Sequence, residues 1–344
     1  MTLRVTVMEL ARSAGQFAYF ATALFLGPTA AWPQPSVHIV QVEGSPQVRV
    51  KDTTSACTTG GLGSGTRQAI LDAAAREWAA FEFPRLSLTG QNNYRVIPDG
   101  ISPRIADTMG SGPAPRLLTV GQMEDDTAVR ERIGRYWAAI KSDYEAVFEQ
   151  QNALWKRSGG RAGWAEYWSA AFVSYVMCLA GFPDEAFARA SAHRDYIMAA
   201  VEARAGERPG YAYHAFDLAE AAPKAGDIIC AAREDKDRTI NSIADFKAKS
   251  AHGAYHCDVV VGFDKTSGTP GVAYAIGGNV LNSVTLTETP LRNGRVTPVK
   301  TPHARNWFGL LRYVGPNGPA SFQKVPDEVR AKAKAVRDAR SAVP

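Results

Sequence analysis

The chain has 344 residues, 45% of them hydrophobic and 21% charged, which is enough apolar material for one large or two small packed domains and too much for a disordered chain. Its formal net charge of +5 comes without a block of Lys or Arg, so a nucleic-acid partner is not expected. Six histidines and four cysteines, with no CxxC pair and no zinc spacing, leave no reason to expect a metal or other cofactor.

In chain order, Arg4 and Arg12 precede an apolar run that ends in Thr29-Ala30-Ala31 before Trp32. Small residues at these positions fit a signal-peptidase site, so residues 1–31 read as a signal peptide and the mature protein as exported, periplasmic or extracellular; a plain N-terminal helix or an uncleaved anchor is the alternative. No stable membrane span is expected after removal of the leader. Residues 32–65 are rich in Pro, Thr, Ser and Gly, and "TTGGLGSGT" lacks the Lys-Ser/Thr ending of a phosphate loop. They read as a flexible linker.

From Thr66 the apolar spacing predicts a helix closed by Pro84, followed by an irregular segment over 84–122 with short strands. A second helix is predicted from about Glu124 to Lys156, then a break at "SGGRAG". A third helix is predicted from about Trp168 to Leu179, and a further helical region lies between Gly181 and Gly206. After these come apolar runs separated by turn signals: "PKAGDIICAAR", "YHCDVVVGFD", "VAYAIGGNV", "NSVTLTETPL" and "WFGLLRYVG". Strands arriving after helices predict an α+β domain over 66–317, with its helices packed on an antiparallel sheet. Residues 318–344 read as a charged C-terminal tail.

Amide hydrolysis by a covalent route needs a nucleophile, a base and a group that orients the base. Ser169 stands at the start of the third predicted helix, where free N–H groups stabilise an oxyanion; as a bland alternative it is a helix cap. His256 opens a strand and is the candidate base. Asn279, after two glycines on the next strand, is the candidate orienting group. Trp168, His193, Asp195 and Gly278 are candidates to line the cleft, with Asp195 able to supply a charge that Asn279 lacks. His252 and His256 have the spacing of helical metal ligands, but the strand pattern breaks that geometry. His214 and His303 fall in loop-like contexts and carry no signal.

Cys178 falls on the opposite helix face from Ser169, and Cys257 on the opposite strand face from His256, so neither replaces the serine. Cys230 and Cys257 are able to pair across neighbouring strands in an oxidising compartment; buried free thiols are the alternative.

"YWSAAFVSYV", "PKAGDIIC", "HCDVVVG" and "IGGNV", in that order, resemble the CHAP and NlpC-type papain-like amidohydrolases and peptidases. With "RIGRYW" upstream and "AHRDYI" between, the stretch from about Arg67 to Tyr313 is similar to the bacterial family catalogued as domain of unknown function 2272. The resemblance implies a papain-like core with a helix-start cysteine nucleophile, a strand-initial histidine and a third polar residue. Ser169, His256 and Asn279 stand at those positions. It further implies a cell-wall amidase or peptidase acting on a peptidoglycan peptide or other amide. The serine in place of cysteine keeps two alternatives open: an inactive cleft that binds wall peptides or a partner protein, and a lipid acyl hydrolase or transferase. Oligomeric state is not readable.

Overall fold

A computed structural model describes residues 36–52, 61–88, 116–233, 240–249, 253–264, 271–297, 306–316, 318 and 320. The leader, Cys57, His252, His303 and residues 321–344 of the C-terminal tail lie outside the described residues. Among the described residues no helix is long and apolar enough to cross a membrane.

The first element overturns an expectation. Within the stretch read as a linker, β1 (Ser36–Val42) and β2 (Ser45–Asp52) form an antiparallel hairpin. Glu43 and Gly44 turn it with φ of 52° and 77°, the paired positive φ that a two-residue hairpin turn requires. The hairpin is packed rather than free: Val37 and Val48 are buried in the main core. Asn152 accepts from Val48 N at 2.7 Å and donates to Val48 O at 3.1 Å, so a side-chain amide satisfies one backbone unit of the ribbon.

Helix α1 (Thr66–Ala80) is followed by the short strands β3 (Arg85–Ser87) and β4 (Arg116–Thr119). The single helix expected over 124–156 is two, α2 (Thr127–Ala138) and α3 (Tyr144–Ser158). Ile140 N bonds Trp137 O at 2.9 Å, a tighter turn that ends α2 while keeping Trp137 and Ile140 buried. Gly134 of α2 has no room for a side chain, since a Cβ there would lie 2.8 Å from Val37 Cγ1; the glycine admits the hairpin. α3 stops at Gly159 in the left-handed conformation (φ 60°).

Helices α4 (Ser169–Leu179) and α5 (His193–Arg204) follow, then β5 (Tyr213–Asp217), β6 (Ile228–Ala232), α6 (Ile243–Lys249) and β7 (Tyr255–Asp264). β8 (Val272–Val280), β9 (Ser283–Arg292), β10 (Arg295–Val296) and β11 (Asn306–Tyr313) complete the described elements. His214 therefore lies in a strand, half-buried, not in a loop. The main sheet runs β4-β3-β9-β8-β7-β6-β11-β5, with β10 paired to β9. Its ladders are antiparallel apart from β3 on β9. The fold is thus α+β with a largely antiparallel sheet, as the order of the patterns predicts.

α4 is the central helix. All of its residues are buried, including both serines, as its mostly apolar sequence requires. A Cβ on Gly278 would fall 2.3 Å from Phe172 Cβ and 3.0 Å from Trp168 Cζ3, so this glycine lets β8 press directly on α4. A buried polar latch ties α1 to the sheet. Arg67 Nη1 donates to Asp227 Oδ1 at 3.0 Å and Arg67 Nη2 to Tyr313 O at 2.8 Å, while Tyr313 N donates to the same Asp227 oxygen at 3.2 Å. Burial pushes the Asp227 carboxyl up from its ordinary value, and Arg67 opposes the shift. Asp227 is therefore structural.

Candidate functional site

Two helices begin at the site. Ser169 is the first residue of α4, after Trp168, and His193 is the first residue of α5, after Ala192. Ser169 Oγ lies 2.6 Å from His193 Nε2. His193 Nδ1 is hydrogen-bonded to the Tyr196 hydroxyl, one turn along α5. Beside them, on β7, His256 Nε2 sits 2.6 Å from Asp258 Oδ1. The two imidazole rings are 5.3 Å apart, centroid to centroid. All of these groups are withdrawn from solvent: Ser169 is 4% exposed, His193 5%, His256 3% and Asp258 0%.

The strand period explains the β7 pair. Residues 256 and 258 share a face, and Cys257 points the other way. There it meets Cys230, its direct partner in the β6–β7 register, in a disulfide. Cys178 is also disulfide-bonded. None of these three is a free thiol able to stand in for Ser169, and the cross-strand pairing displaces the buried-thiol alternative for Cys230 and Cys257.

Gly277 on β8 makes space for the imidazole–carboxylate pair. A Cβ there would lie 1.7 Å from Asp258 Oδ1 and 3.1 Å from His256 Nε2. The glycine pair in "IGGNV" thus has two separate uses: Gly277 accommodates Asp258, and Gly278 accommodates α4.

Of the expected residues, the structure brings Ser169, His193 and His256 together. His193, expected only to line the cleft, is in direct contact with the serine. Asn279 makes no hydrogen bond to either imidazole among the described residues; it sits half-buried at φ 54° where the β8–β9 register shifts. The group that holds His256 is Asp258. Trp168 is fully buried in the core, with its Nε1 donating to Glu124 Oε2 at 2.8 Å, so it supports the start of α4 and lines no cleft. Gly278 is likewise a packing position. The Asp195 side chain is 51% exposed and lies 3.9 Å from Arg194, so the buried charge at the site comes from Asp258 and not from Asp195.

With the carboxylate as acceptor, His256 carries its hydrogen on Nε2 and a lone pair on Nδ1. Burial, then the neighbouring Tyr211 and the charges of Asp258 and Asp195, push the Tyr196 hydroxyl well above its ordinary value, so it keeps its hydrogen. Among the described residues its only acceptor is His193 Nδ1. With the tyrosine hydrogen on Nδ1, neutral His193 carries its own hydrogen on Nε2 and donates it to Ser169 Oγ; with the serine hydrogen on Nε2, the ring takes the opposite tautomer and donates to Tyr196.

No group of His, Cys, Asp and Glu able to hold a metal ion occurs among the described residues. Neither the curated proteins nor the solved structures contain a match to this chain. Comparison with known families matches residues 124–313 to an uncharacterised protein family conserved in bacteria, domain of unknown function 2272. That span carries Ser169, His193, Tyr196, His256, Asp258 and Gly277, and the chain belongs to this family.

Proposed function

We propose that the protein is an exported serine-dependent amidohydrolase of cell-wall peptides, built on a papain-like plan. The observation that carries the reading is the buried His256–Asp258 pair beside a helix-start serine whose oxygen is already hydrogen-bonded to a second imidazole. A serine hydroxyl is far less acidic than a thiol, so it needs a base with a fixed tautomer and a nearby negative charge. Asp258 supplies both, which an asparagine at position 279 would not.

In this reading Ser169 Oγ attacks the amide carbonyl while its proton passes to His256 Nδ1. The developing oxyanion is met by the free N–H groups of the first turn of α4. The proton then goes to the leaving amine, and water hydrolyses the acyl-serine by the same route. His193 keeps Ser169 Oγ oriented throughout. A helix-start nucleophile beside a strand-borne histidine supports the likeness to CHAP and NlpC-type enzymes. Export is supported by the leader pattern and by the disulfides, which persist in oxidising compartments.

The test is incubation of the chain from Trp32 onward with purified sacculi, with mass spectrometry of the released fragments. Wild type is expected to release fragments, and Ser169→Ala and His256→Gln to release none. Release by Ser169→Ala would end the assignment. A second reading, a cleft that binds wall peptides without cutting them, is favoured by one observation: the serine and both imidazoles are withdrawn from solvent, 3–5% exposed. Co-sedimentation of both wild type and Ser169→Ala with sacculi, without fragments, would establish that reading instead.

A further inference from the structure

The two helices that meet at the site are held by largely different neighbours. α4 packs on β7, β8, α1 and α2, whereas α5 packs on β5 and β7. The contact between Ser169 and His193 therefore depends on how the connection over residues 180–192 returns the chain to the start of α4.

A second buried serine ties that connection to α4. Ser174 is 0% exposed; its Oγ accepts from Ala190 N at 3.1 Å and donates to Ala190 O at 3.1 Å. One hydroxyl thus satisfies a whole backbone unit just ahead of His193. A serine inside a helix ordinarily faces solvent or bonds the preceding turn of its own helix. Ser174 instead reaches another segment. Alanine would serve an otherwise apolar helix better, so the hydroxyl acts on the connection and not on α4 itself. The next residue is anchored too, since Ser191 Oγ donates to Asp143 Oδ2 at the start of α3. Ala192 then runs extended into α5, with φ −119° and ψ 131°. Little slack is left before the imidazole.

A single hydrogen bond, with its broad angular tolerance, lets two segments pivot about it. The bond at Ser169 alone would do so. Ser174 adds a second point of attachment about 7.5 Å farther along the α4 axis, at 1.5 Å per residue. Two points fix direction as well as distance. We propose that Ser174 is a positioning residue: through the backbone of Ala190 it sets the entry of α5 against α4 and so holds His193 Nε2 at Ser169 Oγ. The inference concerns that contact itself and rests on the amidohydrolase reading only for its consequence for turnover.

The test is nitrogen-15 NMR of the His193 ring in the full chain, with its signals identified by their loss in His193→Gln. The Nε2 shift reports the bond to Ser169 whichever group holds the hydrogen, and Ser169→Ala gives the displacement for complete loss of that bond. Ser174→Ala is expected to move the shift by about half of that displacement or more, with unchanged far-ultraviolet dichroism. Leu179→Ala opens a cavity at the buried last residue of α4 and controls for softened packing; it is expected to leave the shift in place. An unchanged shift in Ser174→Ala, or an equal displacement in Leu179→Ala, would overturn the inference. So would a Ser174→Ala chain that does not fold, because the hydroxyl would then serve the whole domain and not this contact. A displaced shift in Ser174→Ala together with a wild type that releases nothing from sacculi would sink the hydrolase reading and leave the positioning role standing.

Discussion

Gly277→Ala is the sharpest perturbation that the geometry offers. The new Cβ would lie 1.7 Å from Asp258 Oδ1 and 2.7 Å from Asp258 Cγ. An unstrained contact needs about 3.3 Å or more, so the carboxylate must retreat by roughly 1.5 Å or β8 must move away. A retreat of that size takes the 2.6 Å bond to His256 Nε2 beyond hydrogen-bond reach. The expected loss is about 1.5–3 kcal/mol for a hydrogen bond to a charged group. About 1–3 kcal/mol of overpacking adds to it. Gly278→Ala is the matched control. Its Cβ strikes Phe172 and Trp168, so it carries the overpacking without touching the pair. Urea unfolding gives the stabilities, and the proton chemical shift of the His256 Nε2 hydrogen reports its bond to Asp258. Gly277→Ala is expected to remove that hydrogen-bonded shift, and Gly278→Ala to leave it in place. If Gly277→Ala keeps the wild-type shift and loses no more stability than Gly278→Ala, the slot has no role in holding Asp258.

Three further outcomes follow from particular contacts. The Cys230–Cys257 bridge closes a loop of sequence separation 27, and replacing both residues by alanine is expected to cost about 3.5 kcal/mol in chain entropy, read from the urea midpoint; an unchanged midpoint would show that the unfolded chain is not constrained by this bond. Ser169→Cys puts a thiol at a helix start beside His193, while Cys178, Cys230 and Cys257 are all disulfide-bonded. Iodoacetamide should therefore modify that position selectively, with a rate midpoint below the usual value of about 8.5; a midpoint at or above it would show that the imidazoles do not favour the anion. The Glu220 carboxyl is held down to about 2, first by the hydrogen bonds from Arg204 and then by the Asp217 N–H. Its folded value is depressed, so its contribution is complete above the ordinary value near 4.5 and is lost as pH falls toward 2. The pair is exposed, so the stability gap between wild type and Glu220→Gln should stay below about 1 kcal/mol at pH 6 and close near pH 2; a gap independent of pH would refute the linkage.

Periodicity carried most of the fold. The apolar runs from Ile228 onward became strands because alternation and turn residues act locally, and α4 was legible from its near-continuous apolar stretch. The hairpin at 36–52 was hidden by composition. Averaged over 32–65 the chain is polar and Gly-rich, yet "VHIVQVEGSPQVRV" contains alternating residues around a Glu-Gly turn. The break between α2 and α3 was not legible, because the aromatic stripe continues through it and only tertiary packing bends the chain there.

At the site, Asp258 was within reach of sequence reasoning. In "HCD" the strand period of two puts His256 and Asp258 on one face, which is a stronger signal than Asn279 on another strand. Tyr196 was legible in the same way, three residues after His193 on one helix face. The contact between Ser169 and His193 was not. It joins the starts of two helices 24 residues apart, and nothing local in either segment encodes their meeting.

The division of labour between the two imidazoles hangs on a single hydrogen. A carboxylate only accepts, so Asp258 leaves His256 one neutral form. A phenol both donates and accepts, so Tyr196 permits either form of His193. With the hydroxyl hydrogen on Nδ1, His193 Nε2 is a donor and Ser169 Oγ is held by it; the serine's own hydrogen is then free to be drawn toward the other ring. With the opposite tautomer, His193 would itself be the base and His256–Asp258 would act on it only as a neighbouring charge. Nitrogen-15 shifts of the resting protein distinguish the two directly. We expect both His193 and His256 to show an unprotonated Nδ1 and a protonated Nε2. Under that assignment His256→Gln should abolish the reactivity of Ser169 toward a fluorophosphonate, whereas His193→Gln, whose amide can still donate to Oγ, should slow it by about 10–100-fold, the worth of one misplaced hydrogen bond. A protonated Nδ1 on His193 would transfer the role of base to that residue.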